Sequence, residues 1–284
     1  MSKVLMFHRV LPKKLIRKPN AYATFGTLIS QEYFEEILKF IVESGFIVAS
    51  VSELAELAET NAHTDNYVVL TFDDGYSDNF DYAFPSLQKF NLTATFFPVV
   101  EPCKENSILP LDLYYQSVDA LKLSDVKRDQ YIFGNIKKDF YWTKPAKQME
   151  ELTRLFPHHP KKGRLRYMDS QQLKILAQNG FEIGSHGLTH SIMIAEYMDE
   201  QRINNELIDS KEWLEGITGR PVTTYCFPAG RYNSRILEYV AEAGYTSACL
   251  VKRNEYHIES MMTFERIFVK SNSLNELKLA LIGE

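Results

Sequence analysis

The strongest constraint in this 284-residue chain is a repeated alternation of short apolar runs with amphipathic segments. Lys3–His8, Phe46–Ala49, Tyr67–Thr71 and Thr93–Val99 read as strands, as do Phe181–Ser185, Thr224–Phe227, Tyr245–Leu250 and Arg266–Val269. Between them the apolar period turns helical. Ser30–Ser44 sets Phe34, Ile37, Leu38 and Ile41 on one stripe and is closed by Gly45. Ser50–Glu53 is a capping box, and Asp169–Gln172 caps a helix that Gly180 ends. Further helices are expected near Asn79–Phe90, over Asp199–Gly216 and Asn233–Ala243, and after a Ser273–Glu276 cap. Repeated strand–helix units demand a parallel sheet with helices outside it. Seven or eight such units predict a barrel whose chemistry gathers at the C-terminal strand ends. Glu101–Arg166 breaks the rhythm and is too long for a structureless loop, so it reads as a partly helical insertion beside the site.

Composition excludes more than it selects. Apolar residues make up 45% and charged residues 24%, with a net charge of −5, which are ordinary globular values. The mild acidity gives no basic face for nucleic acid. No apolar run approaches the roughly 18 residues of a transmembrane helix. Met1–Val10 lacks the pattern of a secretory signal, and Cys103, Cys226 and Cys249 are scattered, so a reduced, cytoplasmic setting is the expectation. Aromatic residues reach 13%, a content that suits either a large core or a sugar-lined cleft.

Four strand ends carry the candidate chemistry. Thr71-Phe72-Asp73-Asp74-Gly75 sets two acids side by side, and burying both requires a compensating cation. On a regular strand they would face opposite sides, so both serve one site only if the strand breaks, as Gly75 permits. The same residues also suit a plain polar turn that caps the next helix. His186 and His190 stand at i and i+4, a spacing that shares one face of a helical turn and can hold one metal. Gly187 stands where a zincin would carry its glutamate, which leaves Asp73 or Asp74 to supply the base. Cys226-Phe227-Pro228-Ala229-Gly230 makes a tight turn able to aim a backbone N–H, although most such turns are only turns. His8 suits a satisfied core position, but its place at a strand end keeps it eligible for the site.

In these residues the sequence resembles the polysaccharide deacetylases of carbohydrate esterase family 4, over most of the chain outside the insertion. The resemblance implies one domain over residues 1–284, a distorted (β/α)7–8 barrel with the insertion at about 101–166. It makes Asp74, His186 and His190 the ligands of one divalent metal ion, zinc before cobalt or nickel, and Asp73 the general base. Thr93–Phe97 matches a structural strand of the family. Gly187 replaces the usual Ser or Thr, Cys226 stands at the place of an Arg that orients the base, and Ala229 at that of a Tyr. There is also no C-terminal aliphatic-Leu-x-His segment to supply the acid. The circularly shifted poly-N-acetylglucosamine deacetylase branch is a nearer match, because Met6-Phe7-His8-Arg9-Val10 has its MxHxV form. That branch implies His8 as the general acid and places Arg266 to pair with Asp73, where the plain alternative is a surface ion pair.

The implied reaction is metal-dependent hydrolysis of an N-acetyl group on a sugar or glycan, with the oxyanion resting on the metal and the Ala229 N–H. Two alternatives stand beside it: a metal-dependent amidohydrolase acting on a small cyclic amide or another non-polysaccharide substrate such as a nucleotide-linked sugar, and a non-catalytic carbohydrate-binding scaffold on a decayed deacetylase fold. The expected partner is an acetylated sugar or glycan rather than nucleic acid, and the oligomeric state is open. Phe72, Phe96 and Phe97 are assigned to the core, and Tyr114, Tyr115, Tyr131, Tyr141 and Trp142 to sugar stacking.

Overall fold

The computed structural model describes residues 3–60, 62–121, 123–158, 165–251, 262–270 and 274–282. Its strands are β1 (Lys3–Phe7), β2 (Arg9–Leu11), β3 (Leu28–Ser30), β4 (Ile47–Ala49) and β5 (Tyr67–Asp74). They continue with β6 (Thr95–Pro98), β7 (Glu182–Ile183), β8 (Thr224–Cys226), β9 (Ser247–Leu250) and β10 (Met262–Phe268). Eight strands form one parallel sheet, ordered β7-β6-β5-β1-β10-β9-β8, with β4 alongside the start of β5. A bridge between Ser185 and Tyr225 joins the two ends. The result is a nearly closed, distorted (β/α) barrel, as the strand–helix rhythm requires.

The barrel has two apolar layers because side chains alternate along each strand. Val4, Val69, Phe97, Cys226, Cys249 and Phe264 fill the interior as one small cluster. Leu5, Phe7, Leu70, Phe72 and Phe96 point outward into the larger cluster beneath the helices. The Gln31–Glu43 helix buries the expected stripe completely, with Phe34, Ile37, Leu38 and Ile41 all at 0% exposure. The capping box at Ser50/Glu53 and the cap at Asp169, with Gln172 completing a second box, form as read. Ser273 lies outside the described residues, although the helix after it spans Leu274–Ile282. Among the described residues no helix is long and apolar enough to cross a membrane.

Three local readings change. The β5 strand runs on to Asp74 rather than stopping at Thr71. The segments expected as single helices at Asn79–Phe90 and Asp199–Gly216 each contain a π-helical turn, at Asn79–Ala83 and Asn205–Asp209. Such turns insert one residue into the helical register and re-aim the side chains around it, which period-3.6 patterning does not reveal.

Among the described residues, five helices precede the Ser170–Gln178 helix between β6 and β7, at Val100–Glu105, Pro110–Ala120, Asp125–Phe133, Asn135–Trp142 and Pro145–Leu155. Asp112 anchors them to the barrel. It is buried at 1% exposure and accepts hydroxyl hydrogen bonds from Tyr22 at 2.7 Å, from Tyr76 at 2.9 Å and from Tyr167. Arg9 lies over the Tyr22 and Tyr76 rings at 4.6 and 5.2 Å and pairs with Asp78 at 2.7 Å.

Burial pushes the Asp112 carboxyl up to about 6, and the three tyrosine hydroxyls only partly offset it. With the folded value above the unfolded one, this stabilising contribution is full below about pH 4 and is lost as pH rises through about 6. The stability of Asp112→Asn relative to the parent should therefore rise between pH 4 and pH 7, by on the order of 1–3 kcal/mol. Paired urea melts at the two pH values measure this; a flat difference would show that Asp112 is charged at both.

Candidate active site

Asp73 and Asp74 reach one site because the backbone breaks between them. Asp73 keeps the inward parity of Val69 and Thr71, and a regular strand would turn Asp74 outward. Instead Asp74 adopts φ +70°, followed by Gly75 at φ +80°. The break thus starts one residue before the glycine expected to make it. Gly75 has a separate reason for its identity: a Cβ there would lie 2.8 Å from the Pro98 Cβ. Among the described residues, Asp74, Asn91, Asn106, His190 and Ala229 are the non-glycine residues at positive φ. Asn91 and Asn106 are ordinary left-handed helix caps. The other three are all candidate site residues, which is where backbone strain concentrates when a site over-determines its geometry.

The metal-binding candidates converge as the spacing predicts, but by a different backbone route. Asp74 Oδ1 lies 3.5 Å from His186 Nε2 and 3.4 Å from His190 Nε2. His186–His190 is not helical. It is a loop that turns through Gly187 at φ +83° and His190 at φ +63° to bring the rings to 4.9 Å. His186 Nδ1 donates to the Cys226 carbonyl at 2.7 Å and Nε2 faces Asp74. Burial opposes charge on this ring, but Cys226 and the Asp74 carboxylate raise it well above the ordinary histidine value. Burial pulls His190 down to about 4, which keeps that imidazole neutral. Burial opposes the charge on Asp74, yet the two histidines hold its carboxyl well below the ordinary range. One carboxylate and two imidazoles form a donor set that fits a divalent ion with positions left open.

A second possible grouping, Asp73 with His186 and Cys226, fits a cation less well. Both Asp73 oxygens are already engaged by Arg266, at 2.6 and 2.8 Å. Burial pushes the Cys226 thiol up, away from the thiolate that ligation needs. Cys226 instead donates weakly to Asp73 at 3.7 Å.

Arg266 is 4% exposed, so its pair with Asp73 is a buried one rather than a surface contact. It also donates to Thr71 Oγ1 at 3.1 Å. Burial alone would raise Asp73, but the guanidinium charge and hydrogen bonds hold it below its ordinary value. The Asp73 carboxylate thus meets its arginine from β10, while Cys226 approaches it from β8. His8 Nε2 stands 3.9 Å from Asp73 Oδ2, and the His8 ring meets Phe268 edge-on at 5.7 Å. Asn79, on the first π turn, donates to the His8 carbonyl at 2.7 Å and fixes the strand end. Burial lowers His8, against the attraction of Asp74 and Asp73. Ala229 lines the same cleft at φ +55°.

These groups line one cleft of about 410 Å³. The aromatic residues expected at its wall divide. Tyr114 is fully buried, hydrogen-bonded to the Tyr131 carbonyl and packed on Phe140, so it belongs to the core. Tyr131 packs on Phe156 away from the cleft lining. Tyr115, Tyr141 and Trp142 do line the cleft, and Tyr141 meets the His190 ring at 6.0 Å.

Glu206 is a site-supporting residue that the sequence motifs do not flag. It is 4% exposed, on the second π turn, and accepts from the Leu188 and Thr189 N–H groups at 2.7 and 3.0 Å and from the Thr189 hydroxyl. A Cβ at position 187 would lie 2.8 Å from its Oε2, which accounts for glycine there in place of Ser or Thr. The available signal was an acid beside the apolar stripe of Ile203, Leu207 and Leu214.

The family model described as polysaccharide deacetylase matches residues 60–248. The chain is 21% identical over 243 residues to "Putative polysaccharide deacetylase YxkH" of Bacillus subtilis (strain 168), covering 85% of this chain and 61% of that protein. It therefore spans about three-fifths of the length of that curated relative. The structure of IcaB from Ammonifex degensii superposes with a TM-score of 0.67 at 15% identity, over 99% of this chain and 96% of that one. The Streptococcus pyogenes deacetylase PplD, in complex with acetate, gives 0.65 at 18%, over 98% and 96%. At these identities the structural likeness is one of fold.

Gly187→Ser should displace Glu206 and the loop that sets His190, and weaken zinc affinity about 10- to 100-fold. Competition against a chromophoric chelator measures it; an unchanged affinity would show that the loop is set by other contacts.

Proposed function

Because the chain belongs to the polysaccharide deacetylase family, we propose that it hydrolyses N-acetyl groups on a sugar or glycan, using one divalent ion held by Asp74, His186 and His190. Zinc suits the histidine-rich donor set, with cobalt or nickel as replacements. The observation that carries this reading is the placement of a second carboxylate, Asp73, oriented by Arg266 beside the candidate metal ligands and below His8 in one cleft.

The ion would supply Lewis-acid polarisation of the acetyl carbonyl and a lowered pKa for the attacking water. Asp73 accepts the proton of that water as oxygen adds to the carbonyl carbon. Arg266 keeps the Asp73 carboxylate ionised and fixed, so it is ready to accept without reorganising. The N–H of Ala229 donates to the developing oxyanion. His8, once protonated, donates from Nε2 to the sugar nitrogen as the C–N bond breaks, and acetate and a free amine leave. An amine is a poor leaving group without that proton, so N-acetyl substrates depend on His8 most. The helical segment at about 101–166 acts as one wall of the same unit, through Tyr115, Tyr141 and Trp142. A complete acid, base and ligand set supports an enzyme over a non-catalytic scaffold.

Asp74→Ala should lose bound metal and acetate release together, as read by elemental analysis and an acetate assay. In contrast, Asp73→Asn should keep its metal while kcat falls about 10²- to 10⁴-fold. Normal turnover in that variant would remove Asp73 as the base. His8→Ala should slow N-acetyl hydrolysis by about 10²-fold or more but spare activated esters, whose leaving groups need no proton; equal losses on both substrates would assign His8 a structural role.

A further inference from the structure

We propose that the mouth of the cleft is a subsite for an anionic group, a phosphate ester or a carboxylate, borne by the acetylated sugar or its immediate neighbour, and that Lys137 selects it. This rests on the deacetylase reading of the same cleft and names its substrate class.

Lys137 lies on the Asn135–Trp142 helix and lines the cleft with its ammonium 3.5 Å from the centre of the Phe25 ring and 5.1 Å from that of Tyr115. Its stem and head are therefore held against aromatic faces rather than free in solvent. Among the described residues no carboxylate pairs with it, and burial pulls it down to about 8 with no opposing charge. Lys138 and Arg231 line the same cleft from the exposed side, and Arg231 lies 5.9 Å over Trp142. The acids among the lining residues are Asp73 and Asp74, both at the buried floor, and Asp73 is already paired with Arg266. Among the described lining residues, the three cations at the mouth thus face no acid of their own.

A half-buried ammonium without a counter-charge costs stability, so its persistence points to a ligand that completes it. Neutral sugar hydroxyls can accept a hydrogen bond but leave the charge uncompensated. A phosphate or carboxylate oxygen makes a charge-assisted bond roughly twice as strong, and two or three cations around one anion fix its position. The rings of Phe25 and Tyr115 are occupied by Lys137, which leaves Tyr141, whose ring lies 6.0 Å from that of His190, nearest the reacting end for the sugar.

The test compares acetate release by the zinc-loaded protein from methyl N-acetylglucosaminide, N-acetylglucosamine 1-phosphate and N-acetylmuramic acid. The parent should favour one of the two anionic probes over the neutral one by tenfold or more in kcat/KM, and which one identifies the anion. Lys137→Met, which keeps the apolar stem on Phe25, should collapse that ratio toward one through KM, and Lys137→Arg should preserve it. Equal kcat/KM on all three probes in the parent, or a ratio unchanged in Lys137→Met, overturns the proposal. If no probe is turned over, the deacetylase reading fails and binding decides the subsite. Inorganic phosphate or glucuronate should then quench Trp142 fluorescence in the parent and not in Lys137→Met; the same titration in both proteins, or none in either, overturns the subsite.

Discussion

Everything in this site follows from the electrostatic problem of two adjacent buried carboxylates. Asp73 and Asp74 are 2% and 8% exposed, and two such charges within one cleft cannot both persist without separate compensation. The fold resolves this by dividing the cations. Arg266 neutralises Asp73 with a two-pronged pair from inside the barrel, and His186 and His190 attend to Asp74. The division also separates the two carboxylates: one is locked to a guanidinium, the other is turned toward two imidazoles.

That arrangement needs strain, and the strain is local. Left-handed backbone at Asp74, His190 and Ala229 costs on the order of 1–3 kcal/mol at each position unless surrounding contacts hold it. Around Asp74, the histidine loop and the end of β1 the holding groups can be named. Gly75 lets β6 approach the turn after Asp74, Glu206 gathers the N–H groups of the His186–His190 loop, and Asn79 ties the end of β1. Two of these three residues sit on π-helical turns, so the irregular helices support the irregular strand ends.

The helical segment between β6 and β7 turns a barrel end into a cleft. Asp112 and its tyrosines pin that segment to the turn after β5, which places Tyr115, Lys137, Tyr141 and Trp142 in the same cleft as Asp73, Asp74, His186 and His190. Polar anchoring leaves the apolar and cationic groups of the wall available to a ligand.

Much of this was readable from the chain alone. Period-2 and period-3.6 patterns locate the strands and the buried helix stripe, because burial imposes those periods directly on sequence. The capping boxes are equally local, since the groups involved lie three residues apart. Position at strand ends, together with a family resemblance, singled out Asp73, Asp74, His186, His190, His8 and Arg266. What sequence could not supply was the backbone that joins them. The histidine pair suggested a helical face and is a left-handed loop, because Glu206 stabilises that loop from 18 positions away. Tyr114 and Tyr115 are neighbours in sequence, yet one is core and the other cleft, a difference set by which side of their helix meets the barrel. Local patterns determined the elements and the chemically able residues. Tertiary packing alone decided how the histidine loop closes, which aromatics faced the cleft and which lysine was left, among the described residues, without a counter-charge, because each of those depends on contacts between segments far apart in the chain.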